Sequence, residues 1–433
     1  MDINMNQEKL MEYIESNANH AITFLQKLIS FDSTFKNQGV DGNEFEAQKW
    51  LERELQQWGF ETHLFEPENE EIASFPDYNP GHYYENRPNL VAISKGTGNG
   101  KTLILNGHID TVPLDDLKKW KHDPLSGEVI DGKIFGRGAC DMKAGVAAMI
   151  LATKYINDLG FEHKGDIIIQ SVVDEEGGGN GTLACVAKGY TADAAIVTEP
   201  TGLQLFCASR GVFLLKITVY GKPSHACFKW SGVNAIEKAI KIIQGLKELE
   251  CQWLATKKNP LLPSPTITVG QIEGGISAAT VPGTCALYLD IKYLPTEINE
   301  DGVEVKVNGE EVKQEVEQCI RNICNGDEWL KLNPVDLNWY LSVMPHLIDS
   351  KCPLIDIMSS ACEDITGSHI ISGLPSGADA RHLQNNGNIP TILFGPGNMR
   401  NAHSIDEFVD INQYLNAIKI LAKTILNWTN QVN

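Results

Sequence analysis

Two hydrophobic rhythms alternate along the chain. Apolar residues at helical spacing run through residues 7 to 30 (Leu10, Tyr13, Ile14, then Ile22, Leu25, Leu28, Ile29) and predict helix there. Asn43 to Trp58 predicts a second amphipathic helix. Ala144 to Leu159, rich in small residues and apolar on most faces, predicts a buried one. Between these lie short apolar runs of the buried-strand kind: Thr102 to Asn106 (TLILN), Asp166 to Val173 (DIIIQSVV), Ala194 to Val197 and Thr391 to Phe394 (TILF). Strands alternating with helices predict an α/β fold. The middle of the chain has a different texture. Val212 to Tyr220 is β-rich, Val233 to Leu249 is helical, and Thr266 to Ile272 and Thr284 to Ile291 are strand-like. They predict an α+β insert over residues 209–341, with residues 1–208 and 342–433 forming the other domain. The charged stretch 296–315 reads as loop, edge or helix start.

Composition narrows the setting. A chain of 433 residues with 42% hydrophobic and 21% charged positions is globular, with length for two domains. Lys plus Arg is 36 against 56 Asp plus Glu, a net charge of −20, which argues against a nucleic-acid or anionic-membrane surface. The longest useful apolar run, Ala144 to Ala152, falls well short of the roughly 18 residues that span a bilayer. The polar N-terminal stretch does not resemble a secretory leader, so a soluble cytoplasmic protein is expected. Ten cysteines without a CxxC pair read as reduced core thiols.

The ionisable residues gather just beyond the strand ends, the edge where α/β sheets bind ligands. His108 is followed two residues on by Asp110, whose carboxylate can hold one ring nitrogen and leave the other for a metal. Asp141 stands at the mouth of a helix, as an N-cap or a ligand. Glu175 and Glu176 are neighbours, so on extended backbone they face opposite sides and can divide metal binding from proton handling. Alone, they read as a solvated acidic turn. Glu199 precedes Pro200, and His403 lies in a glycine-rich loop. Together these residues suit Zn²⁺, with Co²⁺ or Mn²⁺ as alternatives. So many ligands exceed the need of one catalytic zinc and fit a two-metal site with a shared carboxylate, its metals about 3.5–4 Å apart.

Six ordered motifs carry a resemblance: LILNGHIDTVP (103–113), GRGACDMKAG (136–145), VVDEEGGGNGT (172–182), IVTEPT (196–201), GKPSHA (221–226) and GPGNMRNAHSIDEF (395–408). The chain resembles the dinuclear metallohydrolases related to acetylornithine deacetylase, succinyl-diaminopimelate desuccinylase, aminoacylase and glutamate carboxypeptidase, and looks nearest to the first two. The resemblance implies a zinc-exopeptidase-like catalytic domain with a central, mostly parallel sheet, plus a lid that also makes a homodimer. It implies that His108, Asp141 and Glu199 hold one of two divalent ions, Zn²⁺ first. Asp141, Glu176 and His403 would hold the other, and Asp110 would orient His108. Glu175 would be general base and acid, and the insert's His225 would stabilise the oxyanion in a partner subunit's site. The peptide after Asp141 would be cis. Arg381 matches a position suited to a substrate carboxylate, and Lys292 stands where an arginine that grips such a carboxylate is common, so both are implied to bind substrate; Ala279 stands where an asparagine is common. The implied activity is removal of an acyl group from a small N-acyl amino acid or related amine, N-acetylornithine first and N-succinyl-diaminopimelate next. A dipeptidase or carboxypeptidase acting on short peptides, and a formylaminopyrimidine deformylase, are the alternatives within the family. A metal-free binding protein is the alternative outside it, and the intact ligand set speaks against that.

Overall fold

Runs such as Leu103-Ile104-Leu105 and Ile167-Ile168-Ile169 offer no polar side chain to water and become strands covered on both faces. In the computed structural model, which describes residues 3–299 and 301–432, they are Leu103–His108 and Ile167–Val172, paired in parallel. The chain divides into two compact units. The first comprises Met1–Cys207, Leu347–Ser372 and Ala378–Asn433, and the second Ala208–His346 with Gly373–Gly377.

In the first unit, Leu103–His108 lies between Ile167–Val172 and Ala194–Val197, parallel to both, and Thr391–Leu393 continues the parallel set. Asn89–Ser94 and then Glu61–Phe65 extend the other side antiparallel. The fold is α/β as expected, with a parallel centre and antiparallel margins. The parallel centre brings the C-terminal strand ends to one edge, and His108, Glu175 and Glu199 all stand at or just past such ends. The helix Lys143–Asp158 is buried without a break from Lys143 to Thr153. Its small residues permit this: a Cβ on Gly145 would sit 2.0 Å from the carbonyl oxygen of Thr198. Ile411–Thr429 packs on that helix and is capped by Asp410, which accepts the Gln413 N–H at 3.0 Å. The first helical stretch is two helices, Ile3–Ser16 and Ala18–Ile29. They divide at Asn17, whose side-chain amide donates to the Tyr13 carbonyl at 2.9 Å in competition with the helical ladder.

The second unit runs strand, helix, strand, strand, helix, strand: Gly211–Tyr220, Ala235–Thr256, Thr266–Gly274, Thr284–Tyr293, Gly309–Asn325 and Asp336–Val343, with short elements between. The four strands make an antiparallel sheet in the order 266–274, 284–293, 211–220, 336–343, a ferredoxin-like arrangement. Burial alternates along Thr284–Tyr293, so Cys285, Leu287, Leu289 and Ile291 face the helices. Gly309–Asn325 answers with Val312, Val316 and Ile320, four residues apart on one face.

Asp327 ties the helices of this unit together. It caps Glu328–Leu332 and accepts Lys238 and Lys241 at 2.7 Å each. Burial alone would raise its carboxyl pKa, but the hydrogen bonds from the two lysines outweigh this and hold it well below the usual range. The fold therefore favours the carboxylate. Its stabilisation is complete above the unfolded-chain value of about 3.9 and is lost as pH falls through the lower folded value. Asp327→Asn is expected to destabilise the second unit by about 2 kcal/mol at neutral pH. The gap in Tm between variant and parent should close in strong acid, and a gap independent of pH would refute the assignment.

Candidate active site

Asp141 is the centre of the constellation. It directly precedes the buried helix, and the peptide bond from Asp141 to Met142 is cis. Its Oδ1 lies 3.2 Å from Nε2 of His108 and its Oδ2 lies 3.4 Å from Nε2 of His403. One carboxylate thus faces two imidazoles through its two oxygens. His403 Nε2 is also 2.9 Å from Oε1 of Glu176. His403 adopts the left-handed conformation at φ 59° and leaves half its side chain exposed, while His108 and Asp141 are buried. The site therefore has a closed side and an open one.

Two overlapping groups of donor atoms, each within 4.8 Å of the others, are His108 with Glu175 and Glu199, and His108 with Asp141 and Glu176. Among the described residues no lysine or arginine forms an ion pair with Asp141, Glu176 or Glu199. Their electrostatics show the cost. Burial, then the charges of Asp141 and Glu175, raises the Glu199 carboxyl well above its ordinary value. Burial pushes Glu176 up to about 8 against the hydrogen bond from His403. Burial also raises Glu175, and the charge of His108 offsets part of that. Asp141 goes the other way: burial would raise it, but the hydrogen bonds from His108 and His403 hold it low. Hydrogen bonds to Asp141 and Glu176 lift His403 to about 10. Crowded acids faced only by imidazoles are a donor set for divalent cations, so the residues fit a metal centre.

Asp110 holds His108 differently from the expected carboxylate contact. Nδ1 of His108 donates to the main-chain carbonyl of Asp110 at 2.8 Å, and the carboxylate is 3.7 Å away. The chain has left the strand at His108, so the simple same-side geometry no longer applies there. The carboxylate instead accepts the N–H groups of Glu175 at 3.3 Å and Glu176 at 3.1 Å. The outcome for His108 is still a fixed ring with Nε2 turned to Asp141.

Arg381 is buried beside the same region. Its Nε donates to Asp77 at 2.6 Å and its Nη2 to the Gly178 carbonyl at 2.7 Å, with Asp379 at 3.7 Å. Lys292 and His225 belong to the second unit. Lys292 pairs with Asp290 at 2.9 Å. His225 is exposed, and its Nδ1 accepts the Cys227 N–H at 3.1 Å, which leaves Nε2 to carry the proton of the neutral ring.

Three groups escape a reading of the sequence. Glu407 accepts the N–H of Cys140 at 2.8 Å and of Asp141 at 3.0 Å through one oxygen, and Arg137 at 2.7 Å through the other. Asp379, buried, accepts the Thr182 hydroxyl at 2.7 Å, and burial with the Glu175 charge pushes it up to about 8. Asp174 is buried directly before Glu175. The signal that could have found them is an acid within a recognisable motif: Glu407 in SIDEF, Asp379 in SGADAR and Asp174 in VVDEEGGG.

Residues 104–427 match the family described as peptidase family M20/M25/M40. The N-formyl-4-amino-5-aminomethyl-2-methylpyrimidine deformylase of Halalkalibacterium halodurans is 30% identical over 444 residues, covering 97% of each chain. The Bacillus subtilis protein of the same name is 33% identical over 369 residues, 80% of this chain and 84% of that one. Among solved structures, the dipeptidase Dug1p of Saccharomyces cerevisiae superposes with a TM-score of 0.75 at 16% identity, covering 99% of both chains, a likeness of fold. With that match over most of its length and the site built as it is, the chain belongs to peptidase family M20/M25/M40 and is a hydrolase of amide bonds.

Proposed function

We propose that this chain removes a small acyl group, formyl before acetyl, from the amine of an aminopyrimidine. The observation that carries the chemistry is Asp141 between His108 and His403, with Glu176, Glu199 and Glu175 around it. In this reading His108, Asp141 and Glu199 hold one divalent ion and Asp141, Glu176 and His403 the other, zinc first and Co²⁺ or Mn²⁺ as alternatives. Bound there, such ions supply Lewis-acid polarisation of the scissile carbonyl and acidify water. Glu175, left over from those ligand sets, takes the proton from the attacking water and returns it to the leaving nitrogen. The water oxygen joins the acyl carbon, the C–N bond breaks, and a carboxylic acid and an amine depart. His225 of the partner subunit donates its Nε2–H to the carbonyl oxygen; its exposure and tautomer support that role. This makes the second unit the dimer-forming one, and its exposed outer strand Thr266–Gly274 is an open edge suited to pairing. Ten unbridged cysteines support the reducing cytoplasm as its compartment.

The substrate reading rests on two supports. Two relatives across most of the chain carry the pyrimidine deformylase name. In addition, both cations placed by the resemblance to grip a substrate carboxylate already face acids, Arg381 with Asp77 and Asp379, and Lys292 with Asp290. A buried guanidinium so compensated has little charge to offer an amino-acid substrate. Acetylornithine deacetylation, the second reading, needs such a grip. The test is a panel of the N-formylaminopyrimidine, N-acetylornithine, N-succinyl-diaminopimelate and dipeptides, with Zn²⁺ and with Co²⁺. The formylated pyrimidine is expected to exceed N-acetylornithine in kcat/KM by about 100-fold or more, the scale set by unpaired polar groups in a specificity site. The reverse order would overturn the substrate. Among the described residues no helix is long and apolar enough to cross a membrane.

A further inference from the structure

The turn bearing Glu175 and Glu176 is gripped from two sides. From just beyond the strand end, Asp110 takes both of their N–H groups. From the other side comes the stretch 77–87, which supplies none of the metal-facing groups. Asp174 opens the turn in the left-handed region at φ 70°, and its carbonyl accepts the N–H groups of Gly178 at 3.0 Å and Gly179 at 2.6 Å. A non-glycine residue keeps this conformation only where its surroundings over-determine it. Here the side chain supplies the determination. His82 Nδ1 donates to Asp174 Oδ1 at 2.9 Å, and the Tyr84 hydroxyl donates to Oδ2 at 2.7 Å. Asn180 donates to the Tyr84 oxygen at 2.7 Å, and Arg87, paired with Glu44, lies 3.8 Å from Oδ1. All six side chains, Asp174 included, are buried.

We infer that His82 and Tyr84 are positioning residues: through Asp174 they fix the backbone from which Glu175 and Glu176 diverge. The geometry leaves each a distinct share. With both carboxylate oxygens of Asp174 engaged, the residue cannot turn to a right-handed or extended conformation without breaking two buried hydrogen bonds. Such a turn would re-aim the two glutamates that follow. The inference rests on the proposed roles of Glu175 and Glu176, yet it concerns geometry that metal binding reports without any substrate.

The experiment uses the full chain with Tyr84→Phe, His82→Ala and His82→Asn, whose amide nitrogen can stand near the place of Nδ1. Each is titrated with Zn²⁺ by calorimetry and assayed on the best amide substrate of the panel. Tyr84→Phe and His82→Ala are expected to lower kcat and weaken the zinc site containing Glu176, each by about 10- to 100-fold, the range for residues that orient metal ligands. KM should change less than kcat, and His82→Asn should recover most of the loss. Variants with lowered Tm but unchanged kcat and zinc affinities would overturn the inference and leave the contacts structural. Should His82→Ala fail to fold, Tyr84→Phe decides alone, because it keeps the ring and removes only the hydroxyl, with its bonds to Asp174 and from Asn180. If no amide in the panel is turned over, a weakened zinc site in Tyr84→Phe still upholds the positioning role while the substrate reading falls. A parent protein that binds no zinc overturns both.

Discussion

If Glu175 is the base of the proposed reaction, glutamine in its place is expected to lower kcat by about 10²- to 10⁴-fold while binding of added Zn²⁺ is kept. The substitution preserves shape and most polar contacts but cannot accept a proton. Glu175 is well placed to accept one. Asp110 fixes its main chain, and its carboxylate stands among His108 and Glu199. That neighbourhood also allows a different part for it, as a ligand alongside those two residues. Zinc content separates the parts. A variant that loses turnover and binds as much added Zn²⁺ as the parent has lost a base. One that loses Zn²⁺ binding in proportion to activity would make Glu175 a ligand and leave the proton transfer unassigned.

Glu407→Ala is expected to destabilise the first unit by about 3–5 kcal/mol, the cost of leaving a buried charge without its partner. Arg137 is 1% exposed, and Glu407 is its 2.7 Å counter-ion. The same carboxylate holds the N–H of Asp141, so zinc should also bind more weakly. Thermal unfolding and zinc titration measure the two effects separately. The double variant Arg137→Met with Glu407→Leu should cost less stability than the sum of its singles, since neither leaves an orphan charge. A Glu407→Ala protein with unaltered Tm and zinc affinity would show that the pair is incidental to the site.

Much of this arrangement is legible in the residues themselves. Strands such as Ala194–Val197 have no competing reading, and their parallel pairing carries His108, Glu175 and Glu199 to one edge. Asp141, Glu176 and His403 are legible as a set only through the order of their motifs, since each taken singly is an ordinary polar residue. What stays hidden depends on distance in three dimensions. Nothing in SIDEF says that Glu407 reaches the N–H of Asp141, 266 positions away. Nothing in SGADAR says that Arg381 is claimed by Asp77, 304 positions away. The contact of His108 with the Asp110 carbonyl is concealed for another reason. Alternation along a strand fixes which way side chains point, and His108 is where the strand stops.

The discontinuity of the first unit bears on how the protein is made. Thr391–Leu393 lies in parallel beside Ala194–Val197, and Leu393 stands opposite Phe206. On the ribosome, Ala194–Val197 emerges almost two hundred residues before that neighbour, after the whole of residues 208–346 has intervened. The inserted unit can fold while the sheet of the first unit still has an unfilled slot. For that interval a buried-type strand keeps one row of N–H and C=O groups open to other chains. Closure of the central sheet therefore waits on a strand made long after its neighbours.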